Sequence, residues 1–180
     1  MKKCFIILED GFEECEALIT HDILRRSGQI EITLAGGKHL DVVSSAGVVI
    51  KADALLKDLN LNEYDFCILP GGKKGVDNIS ESKLDKDVIK KMFALNKHVH
   101  AICAAPSVLG DLGYLDNKRY TCFPGFQRGD GEWVDTGVVT DGNLVTGRSM
   151  GHSIAFAEAI VTLEIGEQYL KKIRQGTLGI

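Results

Sequence analysis

The sequence lacks the long hydrophobic runs and the basic blocks that mark membrane and nucleic-acid-binding proteins. No apolar run approaches the ~18 residues of a membrane-spanning helix. The 21 Lys and Arg against 25 Asp and Glu give a net charge of −4, and the basic residues stand singly or in doublets. We therefore expect neither a membrane nor a nucleic acid as a partner.

The chain also lacks paired cysteine motifs, repeats and low-complexity tracts. Its five cysteines are odd in number and include no CxxC, so a disulfide framework is not expected. The N-terminal segment has two lysines and a short apolar run, but acidic residues follow where a signal peptide needs ~7–15 apolar residues. These features predict a cytoplasmic protein with reduced thiols. A hydrophobic content of 44% over 180 residues predicts one globular domain, residues 1–180.

Strand-like and helix-like segments alternate through the first two thirds of the chain. Apolar runs predict buried parallel strands at 3–8, 30–34, 64–69 and 99–102, and helical periodicity predicts helices at 13–27 and 83–95. Shorter strands and hairpins are predicted at 41–50 and 119–146, followed by helices at 151–163 and 167–174. The pattern predicts a flavodoxin-like, doubly wound α/β sandwich: a mainly parallel sheet with helices on both faces and a small antiparallel appendage.

Cys103 stands where a short apolar strand turns sharply into a helix. Pro106 suits the first helical turn, whose N–H groups have no intrahelical partner. Those N–H groups and the positive end of the helix dipole are expected to lower the thiol pKa. This is the arrangement of a nucleophile elbow, with sulfur in place of a serine hydroxyl. The alternative is that Cys103 is a small buried hydrophobic residue.

Three loops that follow predicted parallel strands carry groups capable of chemistry. Ligands bind at the carboxyl ends of strands in such sheets. Residues 9–16 offer carboxyl groups, residues 70–75 offer backbone N–H donors beside glycines, and the turn at Cys103 offers a thiol. Glu13, Glu14 and Glu16 are more carboxylates than one helix start needs, so one of them is expected to face inward.

At these loops the sequence resembles the ThiJ/PfpI superfamily, and within it the DJ-one branch of the parkinsonism-associated protein deglycase and its bacterial relatives. The matching strings are EECEA at 13–17, LPGG at 69–72, NIS at 78–80, AICAAP at 101–106 and TGRSMGHSIAFAEAIV at 146–161. With their spacing they cover essentially the whole chain. The resemblance implies that Cys103 is the nucleophile and that Glu16 faces it. It also implies an oxyanion pocket formed by the N–H groups of Gly72 and Ala104 beside Gly71, and a homodimer.

The role of Glu16 also follows from its chemistry. A carboxyl group beside a thiolate in a partly dry pocket has its pKa raised by desolvation and by the like charge. It then stays protonated, donates a hydrogen bond to sulfur and moves protons as a general acid or base. The alternative is a solvated glutamate in a first helical turn, which is the preferred interpretation for Glu13 and Glu14.

The sequence departs from the family pattern at three positions. Phe123 replaces the histidine that the animal branch places before a proline, Ala104 replaces the histidine that follows the cysteine in the protease-like branch, and Ala46 replaces an arginine of some members. His152 is a candidate substitute for the missing histidine, or else a surface residue at a helix start. Arg148 is retained in a segment that, in the family, lies near the cysteine pocket and the dimer contact.

Two classes of function fit these residues. The first is a cofactor-free and metal-free enzyme that converts reactive 2-oxoaldehydes such as methylglyoxal, or their glycated adducts, in the manner of a glyoxalase or deglycase. The second is an oxidative-stress sensor or chaperone in which Cys103 is oxidised, with Cys15 and Cys122 either near enough to resolve a sulfenic acid or simply packed in the core. Ala104 argues against a peptidase, and no residue supports a role in thiazole biosynthesis.

Overall fold

A computed structural model describes residues 1–179, which form one large sheet with helices on both faces. The strands, in chain order, are β1 (Lys2–Leu8), β2 (Ile30–Gly36), β3 (Asp41–Val43), β4 (Val49–Lys51), β5 (Ala54–Leu55), β6 (Phe66–Leu69), β7 (His98–Ile102), β8 (Arg119–Tyr120), β9 (Glu132–Trp133), β10 (Val138–Asp141) and β11 (Leu144–Gly147). The helices are α1 (Glu14–Arg26), α2 (Lys73–Glu81), α3 (Lys83–Ala94), α4 (Pro106–Asp111), α5 (Ser153–Glu164) and α6 (Leu170–Leu178).

The main sheet has seven strands in the order β10-β11-β7-β6-β1-β2-β5. Every neighbouring pair is parallel except β10 with β11, which form an antiparallel hairpin at one edge. The register places Ile68 of β6 between Ile6 of β1 and His100 of β7. Strands β3 and β4 form a separate antiparallel hairpin, and β8 and β9 a short parallel pair.

The central strand β1 is buried on both faces because its side chains alternate between two hydrophobic layers. Ile6 and Leu8 pack into the layer covered by α1, α5 and α6, whereas Phe5 and Ile7 pack into the layer covered by α2, α3 and α4. A strand covered on both faces carries an unbroken apolar run, which is the pattern of residues 4–8. The predicted doubly wound sandwich is confirmed.

Helix α2 is the main element that the sequence pattern did not predict. Residues 70–75 were expected to be a loop, yet the helix begins at Lys73. Its glycine content and its short apolar stripe, with only Val76 and Ile79 as buried large side chains, hide the helical period. Within the region 119–146, where short strands were expected, the first strand has only two residues, because β8 ends at Tyr120. No helix in the described part of the chain has the length and apolar character needed to cross a bilayer.

Candidate functional site

The three loops singled out in the sequence meet at one edge of the sheet. Strands β7, β6 and β1 are neighbours, all parallel, so their carboxyl ends lie side by side. The loop after β1 is tied to the loop after β6 by the N–H of Glu13, which donates to the Gly71 carbonyl at 3.0 Å. Sheet order therefore brings the carboxyl, backbone N–H and thiol groups together.

Cys103 occupies a strained turn directly after β7. Its φ of +64° lies in the left-handed region that side chains rarely adopt, a conformation that costs roughly 1–2 kcal/mol. Two hydrogen bonds hold it there: its N–H donates to the Gly147 carbonyl, and its own carbonyl accepts from the Phe123 N–H, each at 2.8 Å. The thiol is partly exposed. This is the backbone geometry of a nucleophile elbow.

Glu16 is the glutamate that faces inward, and its side chain is fully buried. One carboxyl oxygen, Oε2, accepts from the Gly71 N–H at 2.7 Å, while no donor in residues 1–179 reaches the other, Oε1. Burial raises the pKa of Glu16 to about 7, and hydrogen bonds from the Cys103 thiol and the Gly71 N–H oppose this rise. The carboxyl group is therefore poised between its two protonation states near neutral pH.

The other two glutamates take the positions of a helix start. Glu13 precedes α1 as its N-cap and accepts from the Glu16 N–H at 2.6 Å. Glu14 accepts from the Ser45 hydroxyl at 3.1 Å and from the Ala46 N–H at 3.4 Å. Glu13 is partly exposed, as expected for a glutamate at a helix start, although burial raises its pKa.

Gly71 and Gly72 are glycines because the loop after β6 runs directly against the site. A Cβ at Gly71 would lie 2.5 Å from Glu16 Oε2 and 2.6 Å from Cys103 Cβ. Gly72 has a φ of +86°, and a Cβ there would lie 2.3 Å from the Gly11 carbonyl oxygen. The absence of both side chains lets the Gly72 N–H face the cysteine sulfur, together with the Ala104 N–H.

The expected lowering of the Cys103 pKa is wrong. Burial, followed by the charge and hydrogen bonding of Glu16, raises the pKa of the thiol to about 12, and the N–H groups of Ala104 and Gly72 offset only part of this. Helix α4 has only six residues and begins three positions after Cys103, so its dipole is weak. The thiol and Glu16 act as one unit that resists carrying two negative charges.

Phe123 reaches the site through its backbone, which bonds the Cys103 carbonyl. Its ring is 44% exposed and lies 6.3 Å from the ring of Phe126, centroid to centroid, in an edge-to-face pair. A phenyl ring has no proton to transfer, so this position supplies no acid or base. Its neighbour Cys122 is buried, and burial raises the pKa of that thiol to about 11.

Arg148 and His152 follow β11 and contact the turn before β10, not the thiol. The Arg148 guanidinium pairs with Asp135, and the backbone N–H of Arg148 donates to the Gly137 carbonyl at 2.9 Å. The His152 ring bonds the Ser149 hydroxyl at 3.0 Å, and a Cβ on Gly137 would come within 2.3 Å of that ring. No hydrogen bond joins either side chain to Cys103 in the described residues. These contacts favour a structural role for His152.

Sequence reasoning missed a cluster at the opposite, amino end of β7. His98 Nδ1 and His100 Nε2 lie 2.5 and 3.1 Å from Glu164 Oε1, and these three ligand atoms lie close enough together to hold a metal ion. However, the Val145 N–H donates to His100 Nδ1 at 3.1 Å. A neutral His100 ring then carries its proton on Nε2 and donates a hydrogen bond to Glu164, so a hydrogen-bond network around a buried, ionised Glu164 fits these atoms better than a metal site. The alternation of two histidines on one strand was the only signal in the sequence.

Comparison with known proteins gives matches over nearly the whole chain. The sequence profile of the DJ-1/PfpI family matches residues 2–163. A DJ-1 homolog B of Arabidopsis thaliana is 36% identical over 95% of this chain, which spans 40% of that relative's length. A deglycase of Pyrococcus abyssi is 30% identical over 89% of this chain and 98% of its own length.

Solved structures give the same result for the fold. The crystal structure of a cysteine-to-alanine mutant of a DJ-1 superfamily protein from Salmonella typhimurium aligns with a TM-score of 0.92. The two sequences are 31% identical, and the alignment covers 99% of this chain and 98% of the solved chain. The agreement extends over the entire sheet and both helical layers.

Proposed function

The chain belongs to the DJ-1/PfpI family, and from that premise we propose that it is a cysteine-dependent enzyme that acts on reactive 2-oxoaldehydes without a cofactor. The proposed activity is of the glyoxalase or deglycase type, with methylglyoxal as the representative substrate. The deglycase of Pyrococcus abyssi, similar over 89% of the chain, supports a reaction at carbonyl carbon.

The observation that carries the proposal is the pairing of the Cys103 thiol with the buried Glu16 carboxyl. A nucleophile and a proton-transfer group lie within hydrogen-bond reach, and two backbone N–H groups face the sulfur from Gly72 and Ala104. A carbonyl carbon attacked by this sulfur develops negative charge on its oxygen, which such donors stabilise.

In the first step, Cys103 sulfur bonds to the aldehyde carbon of methylglyoxal. Glu16 takes the thiol proton as the carbon–sulfur bond forms and passes it to the carbonyl oxygen, which gives a hemithioacetal and leaves Glu16 ionised. Because the pKa of Glu16 is about 7, an ionised carboxylate is available as a base at neutral pH. A carboxylate with an ordinary pKa would be a weaker base for this transfer.

In the second step, Glu16 moves a proton between the two carbons of the adduct. It removes the hydrogen on the sulfur-bearing carbon and delivers a proton to the adjacent carbon, which oxidises the first carbon to a thioester and reduces the ketone to an alcohol. Water then cleaves the thioester, releasing lactate and restoring the thiol. The sum is methylglyoxal plus water to lactate, so no external oxidant or reductant is needed.

The test is consumption of methylglyoxal in the absence of glutathione, with lactate detected as product. We expect Cys103→Ala to lower the rate by a factor on the order of 10³ or more, since the covalent intermediate is lost. Cys15→Ala is the matched control, because it removes another partly exposed thiol and is expected to keep the parental rate. Equal rates in the parent and in Cys103→Ala would refute the mechanism.

A second candidate, a redox sensor, is favoured by the difference in exposure among the cysteines. Cys4, Cys67 and Cys122 are buried, whereas Cys103 and Cys15 are partly exposed. Low peroxide is expected to add one or two oxygens to Cys103 alone if sensing is the function. Absence of methylglyoxal turnover in the parent protein, together with this selective mass gain, would favour the sensor. Uniform oxidation of all five thiols would count against it.

We also propose that the protein is a cytoplasmic homodimer, with small aldehydes or glycated adducts as its substrates. The five free cysteines support a reducing compartment. Apolar side chains on the surface, including Val49 at 59% and Met150 at 49% exposure, supply area for contact between copies. Sedimentation equilibrium at micromolar concentration tests the dimer, and a purely monomeric mass would reject it.

A further inference from the structure

Two carboxyl groups outside the proposed reaction lie buried against each other. Glu9 follows β1 directly, and Asp85 lies in the first turn of α3. Glu9 is 2% exposed and Asp85 is fully buried. Carboxylates are rarely buried this completely unless a cation or a set of donors accompanies them.

Neither group has such a set of donors. Within the described residues, no donor completes a hydrogen bond to Glu9 Oε1 or to either carboxyl oxygen of Asp85. The two carboxyl groups lie within hydrogen-bond reach of each other, and a hydrogen bond links them when one is protonated. Gly37 makes room for this contact, because a Cβ there would lie 1.9 Å from Glu9 Oε1.

The charged and polar groups around the pair do not neutralise both carboxylates. Lys38 lowers the pKa of each group, but its side chain extends to the surface and its ammonium lies 3.5 Å from Asn78 Oδ1. Asp10 adds a further negative charge facing Glu9, and the Ser82 hydroxyl favours ionised Asp85. One exposed cation against three carboxylates leaves the buried pair short of positive charge.

We propose that Glu9 and Asp85 share one proton in the folded protein and form a carboxyl clip that fastens the start of α3 to the segment leading to Glu16. The carbonyl of Glu9 accepts from the Phe12 N–H at 3.0 Å, so the residue that carries one half of the carboxyl clip also begins the turn before α1. This device is separate from the thiol chemistry and does not depend on it.

The carboxyl clip makes folding dependent on pH in a defined direction. Burial, and then the Asp85 charge, raises the pKa of Glu9 from 4.5 to about 7, and burial raises the pKa of Asp85. The folded protein therefore binds a proton that the unfolded chain has released between pH 4.5 and 7. Within this window the protein is most stable at the acid end. As pH rises to about 7, the unfolding equilibrium constant increases about tenfold per pH unit.

The test is denaturant unfolding between pH 5 and 8 at one protein concentration. Glu16→Gln serves as the parent, because Glu16 titrates in the same window. Adding Glu9→Gln or Asp85→Asn supplies a permanent amide N–H in place of the shared proton. Each is expected to remove the tenfold dependence per pH unit and to lower the unfolding constant on the order of 100-fold at pH 8. Glu31→Gln, on the surface of β2, is the control and is expected to leave the slope unchanged.

An unchanged slope in Glu9→Gln would overturn the proposal. Stabilisation of the parent by added Ca²⁺ or Mg²⁺ would also overturn it, because a cation and not a proton would then join the oxygens. Should the substituted chains fail to fold, infrared spectra of Glu16→Gln give an independent measurement. The carbonyl stretch of a protonated carboxyl group is expected to persist to about pH 7, and its absence at pH 6 would reject the shared proton.

Discussion

Cys103 and Glu16 compete for a proton in a site where burial penalises both charges. The pKa of the carboxyl group is raised to about 7 and that of the thiol to about 12, so the pair carries a single negative charge over most of the alkaline range. A negative sulfur requires a protonated Glu16. The thiolate therefore forms only when Glu16 holds the proton, a dependence that a solvated carboxylate would not impose.

Glu16→Gln is expected to stabilise the protein while it removes the proposed activity. Raising a carboxyl pKa from 4.5 to about 7 costs about 3 kcal/mol above pH 7, and this cost is absent below about pH 4.5. The amide oxygen of Gln still accepts from the Gly71 N–H. Urea unfolding of parent and variant at pH 8 and pH 5 is the measurement, and the gain is expected at pH 8 only.

The pH dependence of turnover reports the same group. If Glu16 is the base, the rate of methylglyoxal consumption is expected to rise with pH and level off above about 7. Glu14→Gln, which changes a carboxyl group that bonds Ser45 and Ala46 and not Glu16, is expected to keep this midpoint. A rate that rises through pH 9 instead would assign the titration to a free thiol.

The order of strand, turn and helix predicted the position of Cys103, and the family resemblance singled out Glu16, but neither predicted their protonation. Helix position made one of three glutamates face inward, and burial identifies it as Glu16. The thiol pKa depends on a carboxyl group 87 residues away in sequence, and its direction follows only from their distance in space. The burial of Glu9 was equally invisible, because an acidic residue after a strand ordinarily lies in a solvated turn.

At the scale of elements, the loop between β6 and α2 depends on the absence of side chains. Periodicity predicted most helices and strands, since an amphipathic helix or a buried strand displays its period in the chain. It failed for α2 because Gly72 and Gly75 approach the backbone of residues 11–13 closely. Glycines at positions of close backbone contact add nothing to the hydrophobic periodicity, so the start of α2 could not be predicted from the sequence pattern.

Gly72→Ala and Gly47→Ala separate close approach from backbone strain. Both glycines have a φ of +86°, but a Cβ at Gly72 meets backbone atoms within 2.3 Å, whereas nothing lies within 4 Å of a Cβ at Gly47. Gly47→Ala is expected to cost about 1 kcal/mol, since an alanine there must adopt the left-handed backbone region. Gly72→Ala is expected to cost about 2 kcal/mol more and to lower turnover. Thermal unfolding and methylglyoxal turnover are the measurements, and equal effects of the two changes would remove the steric explanation.

At the scale of the whole molecule, a buried carboxylate joins separate parts of the chain at the amino ends of the strands, opposite the candidate site. Glu164, at the end of α5, contacts His98 and His100 of β7, and its other oxygen lies 3.7 Å from Lys2 Nζ. Burial opposes ionisation, but hydrogen bonds from the two histidines keep the pKa of Glu164 below its ordinary value. Three distant parts of the chain meet at this one carboxylate.

Glu164→Gln is expected to destabilise the fold by about 3 kcal/mol at pH 7, since a buried charge network loses its anion. Because the pKa of Glu164 is lowered, the loss is expected to shrink as pH falls below about 4.5. Chemical denaturation is the measurement, with Glu167→Gln at the exposed start of the following turn as control. A loss equal to that of the control would show that the network contributes nothing.

The sequence pattern predicted the sandwich, but not the full order of its strands. Alternating strands and helices indicate a parallel sheet covered on both faces, and the structure has this arrangement. The hairpin expected at 41–50 does stand apart from the main sheet as β3 and β4, but nothing in the sequence pattern placed β11 beside β7, where Thr146 pairs with Ala101 and Gly147 with Ile102. Strand order of this kind is decided by contacts between distant segments, which local periodicity does not record.

The direction of β1 has a practical consequence for attaching the protein to a surface. The strand runs from Lys2 to Leu8 toward the site, and seven residues of extended chain span about 23 Å. A linker fused before Lys2 would therefore leave from the edge remote from Cys103. Immobilisation through that terminus keeps the thiol facing solution, where a sensor electrode or an affinity resin can present aldehydes to it.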